Sequence, residues 1–475
     1  MNHSKIIAGN TDTICALATP PGTSAISVIR LSGEQSIKIC NTIFKPASNE
    51  SSLLKAKSHT LHFGKIMQGN EILDEVLVSI FKKPNSYTGE DAIEISCHGS
   101  PYIQQKVIEL LLQNDVRLAR PGEFTLRAFL NGKFDLSQAE AVADLIASNS
   151  KTSHDLALEQ MRGTFSSTIK KMRDELLNFA SLIELELDFS EEDVEFADRN
   201  NLLQLLENIK QEINKLLESF SFGQVLKQGI PVAIVGEPNV GKSTLLNAIL
   251  NEERAIVSEI PGTTRDTIED IIVLRGVSFR FIDTAGLRDS TDTIETIGIE
   301  RTYEKIDLAK IILFVFDVSK TSCMEIRQTL KEFKQHVRHL PNGQARDKKF
   351  ILIANKTDQL IESPEGFKKM VEMECLFVSA KRKENINLIL DNLSDYVESE
   401  SIQDSTVISN TRHFEALSKT LESIEHIEKG FREDVPSDLI AIDIRQALHH
   451  LGEITGEITT DEILGNIFGK FCIGK

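Results

Sequence analysis

What this 475-residue chain lacks narrows it first. It has no basic surplus: 53 Lys and Arg stand against 71 Asp and Glu, a formal charge of −18. A protein that grips nucleic acid through its own phosphate contacts usually carries excess Lys and Arg, because neutralised phosphates release counterions. Any role on RNA therefore needs a local patch or a second protein that supplies most of the attraction. The six cysteines are scattered with no C-x-x-C pair, which argues against a disulfide framework and a zinc knuckle and points to a reducing cytosol. No apolar run is long enough to cross a bilayer, so no membrane association is expected. The opening "MNHSKIIAGNTDTICA" lacks a charged stretch leading into an apolar core and is not Arg-rich. Neither a signal nor a transit peptide is expected from it. Internal repeats are absent as well. A chain of this length exceeds one ordinary core, and about three domains are expected.

Three textures follow one another. Residues 1 to about 125 alternate short β-branched runs, "AISVIRLSG" and "VLVSIF", with turn residues, which predicts an α+β domain. From about 135 the pattern turns helical, starting with "LSQAEAVADLIAS". Leu158, Met161, Phe165, Ile169, Met172, Leu176, Phe179 and Ile183 recur at three- and four-residue steps, one face of a single long amphipathic helix. After an acidic break, "SEEDVEFADRN", comes a second helical stretch, "NLLQLLENIKQEINKLLESF". At Ile230 the texture switches to strand, glycine-rich loop and helix, and alternation of strands and helices continues to about 395, which predicts a doubly wound α/β unit. Helical periodicity then returns in "RHFEALSKTLESIEHIEKGF" and "DLIAIDIRQALHHLGEITG". The economical division is an N-terminal α+β domain (1–130), an all-α domain in two pieces (131–229 and 396–475), and an inserted Ras-like α/β P-loop domain (230–395). The stretch "HLPNGQARDKK" predicts a surface loop inside the inserted domain.

The inserted domain carries the chemistry. "GEPNVGKS" fits G-x-x-x-x-G-K-S between a strand and a helix, where backbone N–H groups from Asn239 through Val240, Gly241 and on to Thr244 can cradle phosphates. Lys242 places a cation at the β- and γ-phosphates, and the Ser243 hydroxyl joins a Mg²⁺ shell. "SEIPGTTRD" (Ser258, Glu259, Ile260, Pro261, Gly262, Thr263, Thr264) supplies a loop that orders around a triphosphate, with Thr264 as a second Mg²⁺ hydroxyl. "DTAG" (Asp283, Thr284, Ala285, Gly286) ends a strand, placing a carboxylate near Mg²⁺ and an amide near the γ-phosphate. "NKTD" puts Asn355, Lys356 and Asp358 at the base, where Asp358 can accept from the N1–H and exocyclic amine of guanine. Ser379, Ala380 and Lys381 ("SAK") add base contacts. Five elements in this order predict GTP binding.

One absence shapes the mechanism. Ras-like GTPases place a water-orienting Gln after "DTAG"; here the residue is Leu287, which cannot hydrogen-bond. Two substitutes are open on the residues alone. Asn239 either offers its carboxamide to a monovalent cation or merely caps the loop. Glu295 either orients the water or is a solvated helix residue.

Several of these stretches, with "TPPG", "ARPGEFTLRAFLNGKFDLSQAEAVADLI", "DTAGLRDSTDTIETIGIER" and the ending "FCIGK", resemble the tRNA-modification GTPase family (MnmE, also called TrmE) along the whole chain. The resemblance implies K⁺ held by positions matching Asn239, Ser258, Ile260 and Thr263, Mg²⁺ at Ser243 and Thr264, and a water-orienting Glu295, with Arg288 in the same switch segment. It also implies a homodimer whose N-terminal domain binds 5-formyl- or 5,10-methylene-tetrahydrofolate at Arg30, Glu94, Lys133 and Lys475. Together with a flavoprotein partner, MnmG (also called GidA), the family modifies the 5-position of the wobble uridine of certain tRNAs with a (carboxymethyl)aminomethyl group, in the cytoplasm.

The ending itself invites a different reading. Cys472 stands four from the end, as in a prenylation box, but Gly474 and Lys475 do not suit one and no polybasic segment precedes it. The expectation is a mobile terminal thiol delivered into a pocket, near the folate if the resemblance holds. The rival from another class is a ribosome-assembly GTPase without covalent chemistry; it normally appends an RNA-binding module, and no KH-type G-x-x-G context stands outside the α/β domain.

Overall fold

A computed structural model describes residues 12–47, 52–188, 199–252, 256–257, 270–282, 303–338, 348–360, 375–400, 406–433 and 435–474. Two compact units account for the chain, one of Met1–Ala143, Glu159–Gln211 and Glu415–Lys475, the other of Asp144–Leu158 and Glu212–Phe414.

The first unit contains an α+β layer and helices. Its sheet comprises β1 (Thr13–Leu17), β2 (Ile26–Ser32), β3 (Phe44–Pro46), β4 (Thr60–Gln68), β5 (Glu71–Phe81), β6 (Ala92–His98) and β7 (Val116–Leu118), in the order β3-β4-β5-β6-β2-β1-β7. The pairs are antiparallel except β1 with β7. Strand alternation sends Ile29, Leu31, Val78, Ile80, Ile93 and Ile95 to one face, where Val107 and Leu111 of α2 (Pro101–Leu112) and Cys40 of α1 (Ser36–Ile43) close the core. The other face takes Arg30, Glu94, Ser96 and Leu77, register partners along adjacent strands. Over β1 this face is covered by α3 (Glu123–Leu130), whose Phe124 packs on Ile14 and Ala16. Elsewhere on it Ile26, Leu61, Phe63 and Leu77 are exposed.

The helical stretches follow as α4 (Leu136–Ala147), α5 (Lys151–Met161), α6 (Thr164–Asp188) and α7 (Arg199–Gln228). The single long helix expected through Leu158 and Met161 is broken. Gly163, at φ +84°, turns the chain, and Gln138 Nε2 donates to the Met161 carbonyl at 3.0 Å, so α5 ends there and α6 begins afresh. Phe165, Ile169, Met172, Leu176, Phe179 and Ile183 are all buried, as their spacing predicts, whereas Leu158 and Met161 are only half-buried.

The second unit holds a sheet of β8 (Ile230–Val235), β9 (Ile256–Val257), β10 (Asp270–Leu274), β11 (Val277–Phe281), β12 (Ile311–Asp317), β13 (Lys349–Asn355) and β14 (Cys375–Phe377), ordered β14-β13-β12-β8-β11-β10-β9. Five strands run parallel from β14 to β11, while β10 and β9 each pair antiparallel. Every residue of β8 and β12 is buried, the mark of strands covered on both faces. Ile230, Val232 and Ile234 join the layer of α8 (Lys242–Leu250), while Ala233 and Val235 join the layer of α9 (Cys323–Arg338). On the α8 side α10 (Ile386–Glu400) adds Ile386, Ile389 and Leu393. This is a Ras-like G domain. The "HLPNGQARD" part of the expected surface loop lies outside the described residues, while Lys348 after it points inward. Its ammonium donates to the carbonyls of Ile306, Asp307 and Ala309 at 2.6, 2.7 and 2.8 Å, and burial pushes its pKa down to about 8.

The chain finishes with α11 (Thr411–Arg432), α12 (Ser437–Thr455) and α13 (Asp461–Phe468). In the first unit α12 packs along α6, where Arg173 Nη1 meets Glu457 at 2.6 Å, and α13 returns to α3 and α4, placing Phe468 and Phe471 against Leu136 and Ala139.

An ion network anchors α3. Arg127, 4% exposed, donates to Asp12 Oδ1 at 2.8 Å, Glu90 Oε2 at 3.0 Å and Glu123 Oε1 at 3.2 Å, and Arg117 bonds both Asp12 and Glu123. Burial alone would raise the Glu123 pKa, but the Arg117 hydrogen bonds and the Arg127 charge outweigh it and hold the carboxyl below its ordinary value of 4.5. A carboxyl so depressed adds stability at neutral pH that is lost as pH falls below 4.5. Arg127→Met leaves the buried Glu123 with Arg117 as its one arginine partner and is expected to destabilise the fold by about 1–3 kcal/mol at pH 7. Urea titrations at pH 7 and pH 4 check this; equal midpoints for variant and wild type at pH 7 would show that the network holds nothing.

Candidate nucleotide site and N-terminal ligand site

The phosphate loop leaves β8 through Gly236, whose φ is +149°; a Cβ there would sit 2.0 Å from the Val315 carbonyl oxygen of β12. Asn239 and Gly241 also take left-handed backbone, at φ +62° and +97°, and α8 then starts at Lys242. The first N–H groups of a helix have no acceptor within it, so those of Lys242, Ser243 and Thr244 face the concavity of the loop and favour an anion. The Lys242 ammonium donates to the Gly236 and Glu237 carbonyls at 2.8 and 2.7 Å. Burial lowers its pKa, Lys305 adds to this and Glu237 opposes it. Val240 is buried in the core beneath the loop, and Asn239 is exposed at its tip.

The far end of the site is organised by β13. Asn355, its last residue, donates through Nδ2 to the Val240 carbonyl at 2.8 Å and accepts at Oδ1 from the Ala380 N–H at 3.0 Å. Lys356, at φ +66°, spans from the Asn239 carbonyl at 2.8 Å to Asp317 Oδ2 at 2.7 Å. Asp358 Oδ1 accepts from the Ser379 hydroxyl at 2.7 Å, and that bond holds the half-buried carboxyl below its ordinary pKa, ionised for a base edge with two donors. Lys381 is exposed beside it. The structure thus brings Asn239, Val240, Gly241, Lys242, Ser243, Thr244, Asn355, Lys356, Asp358, Ser379, Ala380 and Lys381 around one mouth. Ser258, Glu259, Ile260, Pro261, Gly262, Thr263, Thr264, Asp283, Thr284, Ala285, Gly286, Arg288 and Glu295 lie outside the described residues. Among the described residues no three His, Cys, Asp or Glu gather for a metal. Mg²⁺ takes one or two protein oxygens and completes its shell with phosphates and water, and Ser243, next to Lys242, has the chemistry for one of them.

In the first unit Arg30 and Glu94 meet. Arg30 Nε and Nη2 both donate to Glu94 Oε1, at 3.0 and 2.8 Å, and Nη1 points at the Gly474 carbonyl at 3.5 Å. The guanidinium lies over two rings, its Cζ 5.6 Å from the Tyr87 centroid and 5.7 Å from that of Phe124. Lys133 comes near through its neighbours: Phe134 stacks obliquely on Tyr87 at 5.7 Å, and a Cβ on Gly89 would be 3.4 Å from Lys133 Cε. Lys475 lies outside the described residues. The terminal thiol expected to be mobile sits instead on a docked tail. Phe471 is buried, the Gly122 N–H donates to the Cys472 carbonyl at 3.4 Å, and Gly474 at φ +98° lies so close to β1 that a Cβ would be 2.4 Å from the Leu17 carbonyl oxygen. The Cys472 side chain is exposed. Tyr87 and Phe124 were not among the residues expected here; "SYTGED" offered a tyrosine, one of four in the chain, but nothing local places its ring on Arg30.

Two family models match the chain: the GTP-binding protein TrmE N-terminus over residues 13–133 and the MnmE helical domain over residues 136–472. The tRNA modification GTPase MnmE of Flavobacterium psychrophilum is 54% identical over 467 residues, covering 98% of this chain and 99% of that protein. The protein of the same name from Christiangramia forsetii is 54% identical over 474 residues, at 98% and 99% coverage. The one from Bacteroides fragilis is 49% identical over 474 residues, at 98% and 100%.

Gly241→Ala tests the loop geometry. Its Cβ would sit 2.4 Å from Asn355 Nδ2 on a backbone at φ +97°. GTP affinity is expected to fall at least about tenfold through the displaced loop. Fluorescent-nucleotide titration measures it, and wild-type affinity in the variant would mean that the loop does not bind phosphate in this conformation.

Proposed function

The chain belongs to the MnmE family of tRNA modification GTPases, and from that premise we propose that it is a K⁺-activated GTPase which, with a flavoprotein partner, installs a (carboxymethyl)aminomethyl group on the 5-position of wobble uridine in certain tRNAs. The observation that carries this reading is the phosphate loop tied through Asn355 to the guanine-reading Asp358, in a chain 54% identical end to end to a tRNA modification GTPase.

In this reading Asp358 accepts from the two donors of the guanine edge, and the Ala380 amide, held by Asn355, adds a base contact. Lys242 turns from its loop carbonyls to the β- and γ-phosphate oxygens, where an ammonium is better placed than against two neutral dipoles. Ser243 and Thr264 would hold Mg²⁺. Asn239, Ser258, Ile260 and Thr263 would hold K⁺, which supplies the positive charge that an arginine finger brings to other GTPases. Leu287 cannot orient water, and Glu295 takes that role, with Arg288 in the same segment. These residues bind, orient and neutralise charge; hydrolysis then drives a conformational step.

The ligand chemistry of the first unit supports a tetrahydrofolate that supplies the one-carbon unit. Glu94 has the carboxylate that a pterin edge pairs with, and Arg30, Lys133 and Lys475 have the cations that its glutamate tail favours. Cys472, on the tail docked beside Arg30, is the nucleophile or redox group available there. Residues 1–130 would form the folate-binding and dimerising domain, 131–229 with 396–475 the helical domain, and 230–395 the GTPase domain. The exposed apolar row Ile26, Leu61, Phe63 and Leu77 on one sheet face supports a homodimer, since such patches mark interfaces. No helix among the described residues is long and apolar enough to cross a membrane, and the proposed place of action is the cytoplasm.

Wobble-uridine modification is assayed with the chain alone and with the flavoprotein MnmG added. Product only in the joint reaction is expected; product in neither would overturn the reading. GTP hydrolysis is expected to be at least about tenfold faster in K⁺ than in Na⁺, because a cage of neutral oxygens sized for K⁺ leaves the smaller ion under-coordinated. Equal rates in the two salts would remove the cation from the mechanism.

A further inference from the structure

The geometry around Arg30 assigns a role to a residue outside the expected ligand set: we propose that Tyr87 is the positioning residue of the N-terminal ligand site, holding the Arg30 guanidinium in the orientation that binds an anionic or pterin-type ligand. The inference rests on the tetrahydrofolate reading of that site.

An arginine side chain has four rotatable bonds, and one salt bridge leaves it free to swing. Arg30 spends two donors, Nε and Nη2, on a single oxygen, Glu94 Oε1, so its second terminal nitrogen and the other Glu94 oxygen remain for a ligand and for the docked tail. The bond to Glu94 restrains the guanidinium on one side, and the rings of Tyr87 and Phe124, with centroids 5.6 and 5.7 Å from Cζ, restrict its remaining swing. Both lie within the distance at which an aromatic face attracts a guanidinium. Phe124 is core, packed on Ile14 and Ala16, and offers a fixed wall. Tyr87 is only half-buried and comes from a loop, so its placement has to be built.

That building is visible. The Tyr87 hydroxyl bonds Thr125 Oγ1 of α3 at 2.9 Å. On either side of it the loop is pinned by Ser86 Oγ to the Glu90 carbonyl at 2.5 Å and by Thr88 Oγ1 to Ser32 Oγ at 2.6 Å. Asn131 Nδ2 donates to the Thr88 carbonyl at 2.7 Å, and Glu90 leads on to the buried Arg127. Phe134, next to Lys133, leans on the Tyr87 ring, centroids 5.7 Å apart. One ring therefore sets Arg30 and borders the segment that carries Lys133.

The test measures binding of 5-formyltetrahydrofolate to the full-length chain by calorimetry. Arg30→Met and Glu94→Gln, which test the site itself, are expected to lose binding. Tyr87→Leu is expected to weaken it about tenfold, the size of a partly desolvated cation–π contact, while Tyr87→Phe, which keeps the ring, returns to within about threefold of wild type. A single cooperative thermal transition serves as the fold control in both Tyr87 variants. Wild-type affinity in Tyr87→Leu overturns the positioning role, as does a Tyr87→Phe variant as weak as Tyr87→Leu, which would assign the effect to the Thr125 bond. A wild-type chain that binds no folate removes the ligand reading, and the inference falls with it.

Discussion

One buried carboxamide keeps the nucleotide loops in register. Asn355 is 2% exposed at the end of β13, and its two polar atoms join the phosphate loop at Val240 to the base loop at Ala380. An apolar side chain of the same size would fill the space and leave both backbone groups unpaired, at about 1–3 kcal/mol each. An aspartate would keep one partner and repel the other. The requirement propagates outward. Because Nδ2 must reach the Val240 carbonyl, the next residue has no room for a Cβ, so position 241 is glycine. Lys356, forced into left-handed backbone just after Asn355, extends the same tie to Asn239 and Asp317. Three of the strings, the phosphate loop, "NKTD" and "SAK", are thus one mechanical frame.

The first unit solves a comparable problem over a longer distance. Arg30 and Gly474 are 444 residues apart in sequence and within 3.5 Å in space. Closing so large a loop is entropically costly but only weakly dependent on its length, so a large inserted domain adds little once the ends are held. What holds them is apolar: Phe468 and Phe471 on Leu136 and Ala139, with Gly122 and Gly474 permitting backbone approach that any side chain would block.

How much of this was legible depends on whether a feature is local. The two-sided burial of β8 and β12 shows as unbroken apolar runs, the α6 stripe shows as period 3.6, and the phosphate loop shows as glycines at fixed spacing; each is written within about a dozen residues. The break at Gly163 was missed because Leu158 and Met161 continue the stripe in phase, and only the distant Gln138 reveals the stop. Tyr87 escaped for the same reason. Its partners Arg30, Phe124 with Thr125, and Phe134 come from three places in the chain, and no period links them. The docked tail was misjudged because nearness to a chain end says nothing about tertiary contacts, whereas Phe471 decides the matter by burial.

The acidic balance carries more weight once the cations are located. Of the 53 Lys and Arg, several of the best-placed point inward. Arg117 and Arg127 neutralise buried carboxylates, Arg173 bonds Glu457, Lys210 pairs with Glu428, Lys227 with Asp144, Lys348 caps three carbonyls and Lys356 braces the phosphate loop. Their charge is spent on structure and is not free to neutralise phosphates. Among the described residues these cations are therefore engaged, and each ion pair neutralises a carboxylate along with its cation. Attraction to a polyanion such as tRNA then falls off steeply unless it is concentrated in one patch or shared with a second protein, since each neutralised phosphate releases about one counterion and each missing cation forfeits that gain. A chain with this charge balance gains most from a local cationic patch or a second protein that holds the nucleic acid.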